Sequence, residues 1–195
     1  MRKAIFVGSL ALAMAAAPAF AQKSQAKTQP AASKQASDQK FVMDAAKGGL
    51  AEVELGKLAQ EKASSEQVKN FRKRMVDDHS KANDELQTLA KNKNITLASD
   101  LDPKDKALKD RLSKLSGPAF DRAYMNAMLQ DHRKDVSEFR TESTKGRDAD
   151  VKAFASKTLP TLEDHLKLAQ QTEKAVGTSG TAKSGKKVGT GGVKK

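Results

Sequence analysis

The sequence predicts an all-α protein, and three observations support this prediction. Aromatic residues make up only 4% of the 195 positions and charged residues 31%, and the most frequent residues are helix formers. Apolar residues recur at the spacing of one helix face along four long stretches. Cysteine is absent, which excludes a disulfide framework, a thiolate metal site and a lipidated cysteine anchor.

The first long helix is predicted over residues 38–62. Glu52 lies inside its apolar stripe, whereas Glu54 lies on the opposite, charged face. Gly48 and Gly49 weaken a helix by about 1 kcal/mol each relative to alanine. They therefore indicate either close helix packing or room for a neighbouring side chain or ligand.

The second long helix is predicted over residues 64–93. Ser64 and Gln67 fit a capping box at its start, and His79 lies at the centre of its apolar stripe. Because the loop before it is short, the first two helices should form an antiparallel hairpin.

A longer connection, residues 94–117, follows this hairpin. Asp102 and Pro103 are typical of a helix start, so a short helix should run from Pro103 to Leu115. Four long helices of about 27 residues are about 40 Å long, a distance that this connection can span. The pattern therefore predicts a ferritin-like four-helix bundle with a long crossover between helices 2 and 3.

Two further long helices are predicted over residues 118–145 and 148–176. The third carries His132 on its apolar stripe, and the fourth carries His165. Pro160 lies inside the fourth helix and should kink it. Helices 2 and 4 both begin with Val-Lys-x-Phe, a weak indication that the two hairpins are related.

Outside the predicted bundle, residues 38–176, the composition changes. Residues 1–21 are typical of a secretory signal peptide cleaved after Ala21. Residues 22–37 and 178–195 lack hydrophobic periodicity and are predicted to be disordered. We therefore expect a periplasmic protein, with outer-membrane association as a further expectation. After cleavage no segment is long enough to span a membrane.

The formal net charge of +12 is carried largely by the ends of the chain, since no acidic residue precedes Asp38 or follows Glu173. The lysine-rich tail could attach the protein to an anionic envelope surface, or it could be a solvated end that aids solubility. Export argues against nucleic acid as a partner. The sequence does not determine the oligomeric state.

Three stretches resemble an exported bacterial family, domain-of-unknown-function family 4142. They read GGLAEVELGKLAQEKASSEQVKNFRKRMVDDHSKANDEL, FDRAYMNAMLQDHRKDVSEF and LPTLEDHLKLAQ. Members of this family often carry the name outer membrane protein and are grouped with ferritin-like bundles. The resemblance covers residues 38–176. It implies a fold and an exported location but no activity.

Each predicted long helix has one polar residue on its core face near mid-height: Glu52, His79, His132 and His165. All four lie within about three residues of a helix midpoint, so they share a layer about 5 Å thick. One carboxylate and three imidazoles could bind a divalent metal ion such as Zn, Fe, Mn or Cu. The residues expected to support this site are Asp135, Met75, Met128 and Tyr124.

Each histidine also follows an aspartate, which points about 100° away and cannot bind the same ion from the same helix. Two interpretations besides a metal site remain open. Glu52 could pair with the imidazoles in a buried network that sets helix register, or the cluster could perform acid–base chemistry. Di-iron oxidase chemistry is not supported, because no Glu-x-x-His motif is present. No nucleophile or phosphate-binding motif is recognisable, so the sequence favours a non-enzymatic protein.

Overall fold

Five helices and no strand make up residues 29–182, the part of the chain that the computed structural model describes, with side chains from residue 37 to residue 178. They are α1 (Gln29–Lys62), α2 (Glu66–Asn92), α3 (Pro103–Ser113), α4 (Gly117–Lys145) and α5 (Ala149–Ala182). The all-α prediction is confirmed. Within the same range, none of the helices has the length and hydrophobicity needed to cross a membrane.

The first helix begins before its predicted start. α1 starts at Gln29, so residues 29–37 are helical although the sequence assigns them to a disordered linker. This segment has no apolar periodicity, but it is rich in alanine and glutamine, which favour helices. Pro30 lies in the first turn, where the missing N–H removes no helical hydrogen bond.

The last helix extends beyond its predicted end. α5 continues through Pro160 as one helix and ends at Ala182 rather than near Val176. The predicted signal peptide of residues 1–21, the start of the predicted linker and the last part of the tail lie outside the described residues.

The helices pack as two antiparallel pairs, α1 with α2 and α4 with α5. Contacts of α2 with α5 and of α1 with α4 join the two pairs, and the short α3 lies against α1 and α4. Helix α3 begins at Pro103, as predicted. The side chain of Asp102 accepts a hydrogen bond from the Asp105 N–H at 2.9 Å and caps this helix.

Two buried apolar clusters fill the bundle, and all four long helices contribute to both. The lower cluster includes Leu55, Phe71, Met75, Leu112, Phe120, Tyr124, Met125, Met128, Ala169 and Val176. The upper cluster includes Val42, Leu86, Ala90, Val136, Phe139, Val151, Phe154, Ala155 and Leu162. On each long helix a buried glutamate or histidine lies between its upper-cluster and lower-cluster residues: Glu52, His79, His132 or His165. On α4 the buried Asp135 lies there as well.

The order of the clusters along a helix gives its direction. Helices α1 and α5 run from the upper to the lower cluster, whereas α2 and α4 run from the lower to the upper cluster. The connection between α2 and α4 therefore returns from the upper end of the bundle to its lower end, and α3 lies along this path.

Two glycines let α1 approach α2 closely. A Cβ atom at Gly49 would lie 2.1 Å from Oδ1 of Asn83, and one at Gly56 would lie 2.5 Å from Cγ2 of Val76. No neighbouring atom lies within 4 Å of the Cβ position at Gly48. Of the Gly48-Gly49 pair, only Gly49 therefore makes room for a neighbouring side chain.

The turn between α1 and α2 is closed by a residue of α4. The Asp121 carboxylate accepts hydrogen bonds from the Ser64 hydroxyl at 2.6 Å, the Ser65 N–H at 2.9 Å and the Ser64 N–H at 3.1 Å. The predicted capping box is not formed, because α2 begins at Glu66 and its N-cap residue, Ser65, makes no side-chain cap bond. The cap is supplied from the other hairpin instead.

The turn between α4 and α5 is closed in the same way by α1. Asp38 accepts hydrogen bonds from the N–H groups of Arg147 at 3.0 Å and Asp148 at 2.7 Å. One constant offset along the sequence relates the two sets of residues: Asp38 to Asp121, Ser64 to Arg147, Ser65 to Asp148, Val68 to Val151 and Phe71 to Phe154. This reciprocal capping supports the relationship between the hairpins that Val-Lys-x-Phe suggests.

Candidate metal centre

The structure brings together the four polar residues that the sequence places at mid-height. Glu52 comes from α1, His79 from α2, His132 from α4 and His165 from α5. All four are buried, and Glu52 and His132 have no exposed surface. Because the two apolar clusters lie on either side of them, they form a polar layer inside an otherwise apolar core.

The three histidines form a compact cluster. Their ring centroids are 5.2 Å apart for His79 and His165, 5.5 Å for His132 and His165, and 5.7 Å for His79 and His132. One ring nitrogen from each lies within 4.8 Å of the other two. Three imidazole nitrogens that converge in this way are a common donor set for transition metals.

One nitrogen of each ring contacts an acceptor that orients the ring. Nδ1 of His79 lies 2.7 Å from Oε2 of Glu52. Nδ1 of His132 donates to the main-chain oxygen of Met128 at 2.9 Å, and Nε2 of His165 donates to Oδ2 of Asp78 at 2.9 Å. A histidine that binds a metal usually donates its other ring N–H to a carboxylate or carbonyl in this manner.

The other nitrogen of each ring is buried and makes no hydrogen bond with any described residue: Nε2 of His79, Nε2 of His132 and Nδ1 of His165. In a neutral imidazole the nitrogen opposite the N–H carries the lone pair. Buried polar atoms without a partner are rare in proteins. The three unpartnered nitrogens thus belong to the three histidines of one cluster, one on each ring.

Glu52 contacts two of the three histidines. Its carboxylate lies 2.7 Å from Nδ1 of His79 and 3.3 Å from Nδ1 of His132, although neither contact has hydrogen-bond angles. We therefore describe both contacts as ion pairs. Glu52 was predicted as a ligand beside the imidazoles, and the structure places its carboxylate against Nδ1 of His79 and Nδ1 of His132.

The charges in this layer shift the pKa values of its members. Burial would raise the pKa of Glu52, but the charges of His79 and His132 outweigh burial and lower it to about 2. Burial would lower the pKa of His79, but the Glu52 carboxylate outweighs burial and raises it. Burial lowers the pKa of His165 to about 4, against the opposing effect of Asp78. His165 is therefore a neutral donor at pH 7.

A second acidic group lies beside Glu52. One carboxylate oxygen from each of Glu52, Asp131 and Asp135 lies within 4.8 Å of the other two. Asp135 was predicted to support His132, and the structure places it in this group, 3.8 Å from Nζ of Lys134. Burial and the Glu52 charge raise the pKa of Asp131 to about 7, and they raise that of Asp135 well above its ordinary value.

The other three residues expected near the site belong to the lower cluster. Met75 and Met128 are fully buried there, and Met128 supports His132 through its carbonyl oxygen. The ring of Tyr124 stacks on Phe120 at a centroid distance of 5.5 Å. Burial raises the pKa of the Tyr124 hydroxyl.

Asp78 and Asp131 are the site residues that sequence reasoning missed. Each precedes a histidine and points away from it, which is why neither was counted as a partner. Asp78 nevertheless reaches His165 on the neighbouring helix. The repeated Asp-His pair is the signal that could have found it, because an aspartate turned 100° from its own histidine can face the next helix. Asp164 shows no such contact and is 68% exposed.

The comparisons with known proteins identify a family and a fold. No curated protein sequence matches the chain. A DUF305 fragment from Deinococcus radiodurans has a similar structure, with a TM-score of 0.61 and 13% identity over 72% of this chain and 95% of that chain. CopM in its Cu(I)-bound form is also similar, with a TM-score of 0.59 and 16% identity over 71% and 96% of the two chains.

Such low identities show a shared helical fold alone. Residues 21–172, most of the chain, match the family described as Domain of unknown function (DUF4142). The chain therefore belongs to the DUF4142 family, in agreement with the resemblance of its histidine-bearing stretches.

Proposed function

We propose that this protein is a helical bundle that binds one transition-metal ion through His79, His132 and His165. The observation that carries this proposal is the set of three buried ring nitrogens that lack a hydrogen-bond partner, one on each histidine. The opposite nitrogen of every ring contacts the protein. This combination is typical of a metal site rather than of a buried hydrogen-bond network.

The donor set favours zinc, copper or iron over manganese among the four metals predicted from the sequence. Three imidazole donors suit Zn and Cu, and also Fe, whereas Mn prefers oxygen donors. The carboxylate of Glu52 contacts His79 and His132, so it orients these two histidines and balances charge. The similar structure of CopM is described as a Cu(I)-bound form, which supports including Cu(I) in any test of this protein.

We assign the architecture to the ferritin-like class on the basis of helix direction. Two antiparallel pairs are joined by a connection that traverses the bundle, as in that class. The Glu-x-x-His motifs of its dinuclear oxidases are absent, because the residues three before the histidines are Val76, Leu129 and Leu162. A non-catalytic binding role therefore fits better than oxidase chemistry.

The test is elemental analysis of untagged protein, followed by titration of the metal-free protein with Zn²⁺ and Cu(I). We expect about one ion per chain, lost in His132→Ala and His165→Ala. Ligand at a hundredfold excess over Kd stabilises a protein by about 2.7 kcal/mol. For a chain of this size that is a rise in Tm of about 5–10 °C.

The matched control is Glu142→Gln, which alters a buried carboxyl group outside the metal centre. It should bind metal like the unmodified chain. The proposal is wrong if metal-free and metal-treated proteins melt at the same temperature and contain no ion. The cluster would then be the buried polar network that sets helix register.

We further propose that the protein acts in the periplasm, where its basic tail associates with anionic envelope surfaces. The signal-peptide pattern of residues 1–21 and the lysines of residues 178–195 support this proposal. Cell fractionation should recover processed protein outside the cytoplasm. Deletion of residues 183–195 should reduce envelope association at low salt, and unchanged association would count against the tether.

A further inference from the structure

A groove beneath α3 reaches the edge of the metal centre. It has a volume of about 960 Å³ and lies between α3 on one side and α1 and α4 on the other. Ala51, Leu55 and Asp131 line its inner wall. Asp131 directly precedes His132 in α4, so the groove brings solvent to within one residue of a proposed ligand.

A small cavity lies inside the bundle on the other side of the acidic group. It has a volume of about 20 Å³, room for about one water-sized particle. Glu52, Asp135 and His79 are among its lining residues. Of these lining residues, His79 is only 6% exposed, and its Nε2 has no hydrogen-bond partner among the described residues.

Three carboxylates join the groove to the cavity. Asp131 lines the groove, Asp135 and Glu52 line the cavity, and oxygens of all three lie within 4.8 Å of one another. Asp131 and Asp135 are one helical turn apart, so they share one face of α4. Glu52 completes the series, because it contacts both His79 and His132.

We propose that metal ions enter the protein through the groove beneath α3 and pass from Asp131 to Asp135 and Glu52 before they reach the histidines. This inference rests on the proposed metal-binding function. A bare cation in a low-dielectric interior is very costly unless it is paired, and successive carboxylates provide that pairing. They also concentrate cations at the mouth of the route.

The opposite approach to the centre is less suited to a cation. Asp78 contacts His165 from the seam between α2 and α5, where Arg74 lies 3.4 Å from its carboxylate. The permanent charge of this guanidinium repels an incoming ion. Three cations line the groove, Lys104, Arg111 and Lys134. Of these, Lys134 contacts the carboxylate series, since it lies 3.8 Å from Asp135, and it is 51% exposed. A long exposed lysine can move aside, so it is a barrier that a substitution can remove.

The experiment is stopped-flow loading of the metal-free protein with Zn²⁺, in competition with a chromophoric chelator. Asp131→Asn should slow both binding and release of Zn²⁺ by about tenfold and leave Kd within about threefold. It should also weaken the salt dependence of the binding rate. Lys134→Gln should have the opposite effect and accelerate loading, a result that a merely structural role of these residues would not produce.

The matched control is Asp105→Asn, which removes the same charge from the α3 side of the groove but not from the carboxylate series. It should change the rate by less than about twofold. If Asp131→Asn loads as fast as the unmodified chain, the route is wrong although metal binding stands. A loss of affinity through faster release, with an unchanged binding rate, would make Asp131 part of the binding site and also overturn the route. If no variant binds Zn²⁺ or Cu(I), the proposed function itself fails.

Discussion

At the level of single residues, Asp78 has the most separable role in the metal centre. It holds Nε2 of His165 from a partly exposed position, with its side chain 28% accessible. Burial would raise the pKa of Asp78, but the hydrogen bond from His165 opposes burial and the pKa is lowered overall, so the carboxylate is ionised at pH 7. A charged acceptor of this kind increases the basicity of the ligand that it orients.

We predict that Asp78→Asn weakens Zn²⁺ affinity by about 10–100-fold without unfolding the protein. A chelator-competition titration measures the change. Asp77→Asn is the matched control, because Asp77 is 48% exposed and pairs only with Lys73 among the described residues. Equal affinities for the two variants would show that Asp78 does not position His165.

Glu142 gives a pH-dependent prediction away from the metal centre. It is 6% exposed and lies near Asp38. Burial and the Asp38 carboxylate raise the pKa of Glu142 above its ordinary value of 4.5. The folded state therefore holds this proton more tightly than the unfolded state does, and stability falls as the pH rises from about 4.5 through the raised pKa.

Glu142→Gln should remove this penalty, because glutamine stays neutral. We expect a higher Tm than that of the unmodified chain at pH 8 and a similar Tm at pH 4. The exposed residue Glu61, changed to glutamine, provides the comparison and should show no such pH dependence. If the benefit of Glu142→Gln were as large at pH 4 as at pH 8, the titration argument would fail.

Sequence periodicity could predict which residues face the core, but not how their atoms meet. A projection at 100° per residue places Glu52, His79, His132 and His165 on the inner faces of their helices. It does not give ring rotations, so it could not show that Glu52 contacts Nδ1 atoms. It also considers each helix alone, which is why the reach of Asp78 to another helix was missed.

At the level of helices, the close approach of α1 and α2 depends on Gly56. Val76 is β-branched and stiff, so its Cγ2 atom cannot easily move away from a new Cβ at 2.5 Å. At Gly49 the facing atom is the end of the longer Asn83 side chain, which can rotate away. Gly48 faces no neighbouring atom.

We predict opposite effects for two glycine-to-alanine changes in α1. Gly48→Ala should raise the free energy of unfolding by about 1 kcal/mol through helix propensity. Gly56→Ala should lower it by about 1–2 kcal/mol, because overpacking exceeds the same gain in propensity. Urea unfolding measures both. A stabilising Gly56→Ala would mean that α1 and α2 are not in close contact at this height.

The helix interiors were predictable because burial imposes a repeating pattern, whereas the helix ends were not. The early start of α1 at Gln29 depends on residue propensity without an apolar stripe. The start of α2 was expected to be capped locally by Ser64 and Gln67. The cap comes from Asp121, far along the chain, and no local sequence rule can identify such a partner.

At the level of the whole molecule, the two hairpins are joined by reciprocal caps. Asp121→Ala should destabilise the protein by about 2–4 kcal/mol, because the N–H groups of Ser64 and Ser65 and the Ser64 hydroxyl lose a charged acceptor. Asp38→Ala should have a similar but smaller effect, since it accepts from two N–H groups. Thermal and urea unfolding of both variants provide the measurement.

The control is Asp84→Ala, an exposed aspartate on α2, which should change stability by less than about 0.5 kcal/mol. If Asp121→Ala lowered stability by an equally small amount, solvent would satisfy the hydrogen-bond donors of the turn, and the cap would contribute little.

The metal centre does not follow the internal repeat of its scaffold. The offset that relates Asp38 to Asp121 also relates Glu52 to Asp135, but it relates His79 to Leu162, and His132 to Gly49. A related pair of hairpins thus carries an asymmetric set of proposed ligands. One histidine comes from the first hairpin and two come from the second.

Because the histidines are divided between the hairpins, the protein could be produced in a cell as two separate polypeptides. The turn of each hairpin is capped by an aspartate of the other hairpin, and neither hairpin carries all three histidines. Neither half is therefore complete by itself. A chain severed within the α2–α4 connection would yield two polypeptides that complement each other at both turns and in the polar layer. If the proposed metal site exists, metal uptake would then report reassembly of the split protein, because only the joined halves bring the three imidazoles together.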